Sequence, residues 1–154
     1  MDLILWRHAD AENAEYGVAD SERALTAKGL EQAQRMAHWL RLRLPAGAVV
    51  LASPARRVQQ TAAALDLPCK TVDALAPGAR VADVLAAAGA PTDERSVLVV
   101  GHQPTLGEVA ALLMTGKRLQ WKLRKGALIW LAASPPAPAR LRVLMSPEFL
   151  DPAD

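Results

Sequence analysis

SVLVVGHQPTLG, residues 96–107, runs from an unbroken aliphatic segment into a glycine, a histidine and a proline. Val97 to Val100 form a continuous apolar run, the pattern of a strand buried on both faces of a sheet. Pro104 is suited to open a helix, where a missing amide hydrogen costs nothing, and Gly116 to end it. Strand (96–100), tight loop and helix follow in order, so His102 is expected just beyond the strand's carboxyl end.

The same alternation recurs on both sides. LILW (3–6) predicts a first strand, followed by a polar loop to about Ala24. From Thr26 to Leu44 the residues Leu30, Ala33, Ala37, Leu40 and Leu44 fall on one helical stripe, and Pro45 closes that helix. AVVLA (48–52) reads as a second doubly covered strand, with Ser53 as N-cap and Pro54 as first residue of a helix to about Leu65. A weak strand near Lys70–Val72 and an alanine-rich helix near Val81–Ala88 come next. ALIWL (127–131) and RLRVLM (140–145) predict two last strands around the proline-rich turn SPPAPA. Residues 1–146 then form one domain without repeat or linker, and 147–154 a loose tail. Alternating β and α elements imply an α/β fold with a largely parallel sheet and helices on both faces.

With 154 residues, 51% of them apolar, the chain can bury a sizeable core. A formal charge of +2 gives no general pull on polyanions, and without a binding motif nucleic acid is not an expected partner. The lone Cys69 excludes an internal disulfide and suits a reducing compartment. No stretch approaches the roughly 20 apolar residues that cross a bilayer. MDLILWRHAD has neither the basic start nor the length of a secretion signal. A cytoplasmic protein with no membrane partner is expected.

In sheets of this kind, sites form beyond the carboxyl ends of the strands. Three polar clusters fall there: Arg7-His8, SPARRVQQTA (53–62) and GHQPTLG (101–107). If their strands are parallel neighbours, two histidines and several arginines share a pocket. Each alone has a commonplace reading, since a histidine at a strand end is usually structural and an arginine early in a helix usually solvated. Together they suit a phosphoryl group. Forked guanidinium donors match its equatorial oxygens. A neutral imidazole can attack phosphorus and carry the group covalently, and a second can donate from the opposite side. Arg57, Gln60 and Thr61 would share a helix face as a polar wall. His38 lies off the apolar stripe and reads as a surface residue. Competing chemistries leave no mark: there is no G-x-x-x-x-G-K-[ST] loop, no arginine six positions after Cys69 (Leu75 stands there), and no Asp-x-Asp pair. His8-x-Asp10 lacks a second cluster to complete a metal set, so no metal or other cofactor is expected.

RHAD (7–10), RALTAKG (23–29), SPARRVQQTA and VGHQPTLG (100–107) resemble, in order, the motifs of the histidine phosphatase superfamily, which also holds the phosphoglycerate mutases. The short chain and the form RHADA look most like its small SixA-type phosphohistidine phosphatases. The resemblance runs from Leu3 to about Leu131. It implies a three-layer α/β/α sandwich of the phosphoglycerate mutase-like kind and a chemistry without metal. In it, His8 matches the nucleophile that becomes phosphorylated. Arg7 and Arg57, the latter in preference to Arg56, match the phosphate clamps, and His102 the second pocket histidine. Arg23 matches the start of a loop that touches substrate or phosphate. Asp10 and Gln60 stand beside them as candidate supports, and for Asp10 holding the loop after the strand is an equal alternative.

Two features depart from the family pattern. Ala9 stands where glycine is usual, which puts a methyl group near the phosphate and removes glycine-only backbone angles. The glutamate acid of larger members has no counterpart between Arg57 and His102, because Asp73 and Asp83 lack its context. An alkoxide leaving group profits from a positioned acid, whereas the imidazole of phosphohistidine leaves readily once protonated. The expected function is a metal-independent phosphatase acting through phospho-His8 on phosphohistidine in a protein. A small phosphomonoester is the alternative substrate, and a non-catalytic phosphate-binding module the alternative role. Short insertions point to a shallow pocket, better suited to a protein-borne group than to a mutase's retained product. GKRLQWKLRKG (116–126) sets five basic residues around Leu119, Trp121 and Leu123. Its alternation predicts a strand, either a lysine-protected edge or a rim for an anionic partner such as a phosphorylated domain.

Overall fold

The computed structural model describes residues 1–152. At its centre lies β4 (Val97–Gly101), buried at every position. β1 (Asp2–Arg7) and β2 (Val49–Ala52) flank it in parallel, and β3 (Cys69–Thr71) adds a parallel edge beyond β2. On the other side β5 (Leu128–Ser134) pairs antiparallel with β1, and β6 (Ala137–Met145) antiparallel with β5. The order is β3-β2-β4-β1-β5-β6.

Strand side chains alternate between two faces, and each face is covered by its own helices. Leu3, Leu5, Val97, Val99, Ile129 and Leu131 pack with α3 (Val81–Ala88) and α4 (Thr105–Thr115). Ile4, Trp6, Leu98, Val100, Leu128 and Trp130 pack with α1 (Ala27–Arg41) and α2 (Arg56–Ala63). The fold is therefore an α/β/α sandwich. Burying each such aliphatic side chain contributes roughly 1.5–3 kcal/mol. Trp6 is completely buried because its indole Nε1 finds an acceptor, donating to the Gly126 carbonyl at 2.9 Å. Gly116 ends α4 in the left-handed conformation, φ 72°. Among the described residues, no helix is long and apolar enough to cross a membrane.

Four local expectations are corrected. The stripe on α1 does not include Leu30, which is 45% exposed, while Met36 and Trp39 are buried. Thr26 caps the helix by accepting from the Gly29 amide, and Gly29 lies so close to the Asp10 carbonyl that this face of the first turn packs there. α2 starts at Arg56 with Ala55 as its cap, because the Ser53 side chain turns toward the interior instead. Residues 116–126 form no strand. Side chains bind the segment's carbonyls instead: Arg7 that of Leu123 at 2.7 Å, Gln103 that of Trp121 at 2.8 Å. Nor are residues 147–150 loose. A 3-10 turn at Pro147–Phe149 packs on α1 with Pro147 and Leu150 buried, since Leu150 joins the apolar cluster under that helix. The end of the expected tail, 153–154, lies outside the described residues.

Candidate active site

The order β2-β4-β1 sets three strand ends side by side, with Arg7 opposite Gly101 and Ala52 opposite Val100. The chain therefore leaves the sheet at neighbouring points before His8, Ser53 and His102. The His8 amide extends the ladder by donating to the Gly101 carbonyl at 3.1 Å. The two imidazoles come together, ring centres 5.4 Å apart and planes inclined by 59°. Both residues are 7% exposed.

His8 has one tautomer when neutral. Its Nδ1 lies 2.8 Å from the Ala9 carbonyl, which can only accept, so Nδ1 carries the hydrogen and Nε2 the lone pair. Burial pushes its pKa down to about 4 against that hydrogen bond, helped by the charges of Arg57, Arg7 and Lys125. His102 pairs through Nε2 with the Ser53 hydroxyl at 2.8 Å. Burial, then Arg57 and His8, push it to about 3. Near neutral pH both rings are uncharged.

Two guanidinium groups flank them. Arg57, 4% exposed, donates from Nη1 to the Asp20 carbonyl at 2.8 Å and from Nη2 to the Asp20 carboxylate at 3.1 Å. Arg7 donates from Nη1 to Leu123. In both residues Nε is buried and has no partner. A charged donor left unpaired in the interior is costly, so these atoms mark where an anion would be bound.

The remaining expected residues fall around this pocket in holding roles. Arg23 donates to the Asp20 carboxylate at 2.9 Å and to the Glu12 carbonyl at 2.9 Å, so it reaches Arg57 through Asp20. Gln60 accepts from the Leu25 amide at 2.7 Å, and Thr61 accepts from the Ala9 amide at 3.1 Å while donating to the Arg57 carbonyl at 2.7 Å. The polar wall of α2 thus ties loops together. Asp10 takes the loop-holding role: its carboxylate accepts from Lys125 at 2.9 Å and Thr26 at 2.8 Å, and its amide donates to Gln32 at 2.9 Å. Lys125 and Thr26 hold its carboxyl below the usual range.

Ala9 does not crowd the pocket. It is completely buried, and it clusters with Ala11, Leu25 and Ala33. Its φ is negative, since Asp66 is the one non-glycine residue with positive φ among those described, so alanine fits this backbone without strain. Arg56 is exposed, His38 lies half-buried on α1, and Asp83 pairs with Arg80 at the start of α3. Sequence reading missed Ser53 as a partner of His102, Thr61 as the anchor of Ala9, and Asp20 altogether. Among the described residues, no three His, Cys, Asp or Glu side chains are grouped to hold a metal ion.

Residues 3–76 match the family model of the histidine phosphatase superfamily (branch 1). An uncharacterized protein of Mycobacterium tuberculosis is 36% identical over 112 residues, which are 70% of this chain and 68% of that protein. Among solved structures, SixA of Nakamurella multipartitia is 33% identical with a TM-score of 0.80, covering 95% of each chain. The protein histidine phosphatase SixA complexed with tungstate is 29% identical with a TM-score of 0.80, covering 97% of this chain and 99% of that one. The fold is shared more widely: the α-ribazole phosphatase of Shigella flexneri, 22% identical, has a TM-score of 0.74 over 96% of this chain and 97% of its own. With the motifs at three adjoining strand ends and these similarities in hand, the chain belongs to the histidine phosphatase superfamily, in its SixA-type branch of phosphatases.

Proposed function

We propose that the protein removes phosphate from phosphohistidine in a protein, without metal, through a phosphorylated His8. One arrangement carries this reading: two neutral imidazoles 5.4 Å apart beside the guanidinium groups of Arg57 and Arg7, each with a buried, unpartnered Nε. The lone pair on His8 Nε2 attacks phosphorus, a new P–N bond forms, and the bond to the substrate imidazole breaks. Arg7, Arg57 and His102 hold the equatorial oxygens as charge builds on them. The departing imidazole carries its electron pair away, neutralised by a proton already on its other nitrogen. Water then attacks phosphorus, the P–N bond to His8 breaks, and His8 returns neutral with phosphate as the second product.

The carboxylates that hold the pocket's cations do not support an ester reading. Asp20 and Asp10, the carboxylates bound to cations at the pocket, are both engaged and ionised. A leaving group that departs without help from the protein suits such a site better than an alkoxide. Arg23 serves through Asp20, fixing the Arg57 guanidinium. We place this activity in the cytoplasm, where an exposed unpaired thiol such as Cys69 stays reduced.

The test is phosphate release from a phosphohistidine-bearing protein in EDTA, compared with His8→Ala. Release by the parent alone, with acid-labile label on the parent chain, is the expected result. Release only from phosphomonoesters would replace the substrate in this reading, and phosphate binding with no label on His8 would replace catalysis by recognition.

A further inference from the structure

The site lies between two surfaces of opposite charge. On the side of Arg57, residues 11–22 carry Glu12, Glu15, Asp20 and Glu22 with no basic residue, and Glu12 to Glu22 are exposed throughout. On the side of Arg7 a cavity of about 680 Å³ opens between the first half of α1, residues 122–125 and the turn at Pro147–Phe149. Lys28, Arg35, Lys122, Arg124 and Lys125 line it together with Arg7, against three carboxylates. Two of those are committed: Asp10 to Lys125 at 2.9 Å and Glu148 to Arg124 at 2.6 Å. The lining is thus more positive than the whole chain, whose charge is +2. Positive charge gathered in a groove beside a pocket raises the local concentration of anionic partners.

We propose that this groove docks an acidic segment of the phosphoprotein substrate, the residues flanking its phosphohistidine; this rests on the function proposed above. Arg7 belongs to both the groove and the pocket, so a chain lying in the groove leads directly to His8. The other approach, over the acidic 11–22 loop, repels the same segment, and the two surfaces together fix its direction. Apart from Arg7, whose Nε is buried, the groove walls are mostly long, exposed lysine and arginine side chains. Such a wall adapts to an extended acidic surface and gives no fixed subsite to a small anion.

The experiment measures binding without turnover. A fluorescent Glu-rich peptide with one unphosphorylated histidine, and its Gln-for-Glu counterpart, are titrated by anisotropy with the parent and with Arg35→Glu/Lys122→Glu. Phosphoramidate hydrolysis by both proteins checks that the reversal leaves fold and pocket intact. The expected result is binding of the Glu peptide to the parent alone, at least about tenfold tighter than to the double variant in low salt, with the gap closing as salt rises. Equal binding of Glu and Gln peptides, or Glu-peptide binding indifferent to the reversal, overturns the proposal. Because no phosphate is transferred, failure of the phosphohistidine assay is read separately from failure of docking.

Discussion

Thr61→Val tests how the site is held together. The Thr61 hydroxyl is completely buried, accepts from the Ala9 amide at 3.1 Å and donates to the Arg57 carbonyl at 2.7 Å. It therefore couples the His8 loop to the helix that bears Arg57. Valine keeps the outline of the side chain and removes both bonds. The Ala9 amide is then buried without a partner, which costs about 1–3 kcal/mol. The added methyl returns somewhat less than the roughly 0.8 kcal/mol of a buried methylene, so a net loss of about 1–2 kcal/mol is expected. At about 2–4 °C per kcal/mol for a chain of this size, Tm should fall by roughly 2–8 °C. Urea midpoints should fall with m unchanged, since the folded state keeps its compactness. Activity should fall as well. The Ala9 carbonyl is the acceptor that fixes the His8 tautomer, and an Ala9 no longer held at its amide can shift the adjoining peptide that carries this carbonyl. A misorientation costing about 1.4 kcal/mol in the transition state slows kcat tenfold. Thr61→Ser keeps the hydroxyl and should retain most of the activity. A valine variant with parental Tm and kcat, or a serine variant as slow as the valine, would refute this account.

Two further outcomes are expected. Because the folded-state pKa values of His8 and His102, about 4 and about 3, lie below the ordinary 6.5, the unfolded chain takes up protons before the native one. Stability should thus be full above about pH 6.5 and decline as pH falls toward 3; ring-proton titration in which either histidine charges near 6.5 would contradict it. In Gly107→Ala the new Cβ would collide with the Trp121 carbonyl, a backbone atom that cannot step aside cheaply, so the segment supplying Leu123 to Arg7 must shift. A loss of about 1–3 kcal/mol and reduced turnover should follow, read by Tm and phosphate release, and a variant as stable and active as the parent would show that the segment is not fixed by this approach.

What could be read in advance were features whose causes are local. Val97–Gly101 declares itself a central strand by composition, α3 falls over the expected Val81–Ala88, and Pro104 and Gly116 bracket α4 by their backbone preferences. Once the strands are parallel neighbours, Arg7, His8, Arg57 and His102 must meet, so the centre of the site was legible too. Readings failed where a distant group decides the outcome. Ser53 has the sequence context of a helix cap, yet His102, 49 residues away, engages its hydroxyl. The alternation in 116–126 is real, but a strand needs backbone partners, and this segment has side-chain partners instead. The methyl of Ala9 looks like an intrusion on phosphate until Leu25 and Ala33 are brought around it. Asp20 sits in a loop with neither periodicity nor turn signature, and only the tertiary position of Arg57 gives it a role.

Both pocket arginines are already held by the protein. Arg57 uses two of its donors to hold Asp20, and Arg7 uses one to hold Leu123, before any substrate is bound. A lysine could match the charge but not this division, because an ammonium presents one point rather than a fork with donors on separate atoms. The loops pay with their own acceptors: one backbone carbonyl and one carboxylate from the 11–22 loop, one carbonyl from 121–123. The same arrangement settles what Asp20 can do chemically. Against burial, the largest single effect, the hydrogen bonds and charges of Arg57 and Arg23 together hold its carboxyl below the ordinary range. It is therefore ionised at neutral pH and has no proton to give. In the function proposed above, Asp20 positions the Arg57 donors and leaves protonation to the substrate, which is the division of labour that a phosphohistidine, with its own basic ring, is able to accept.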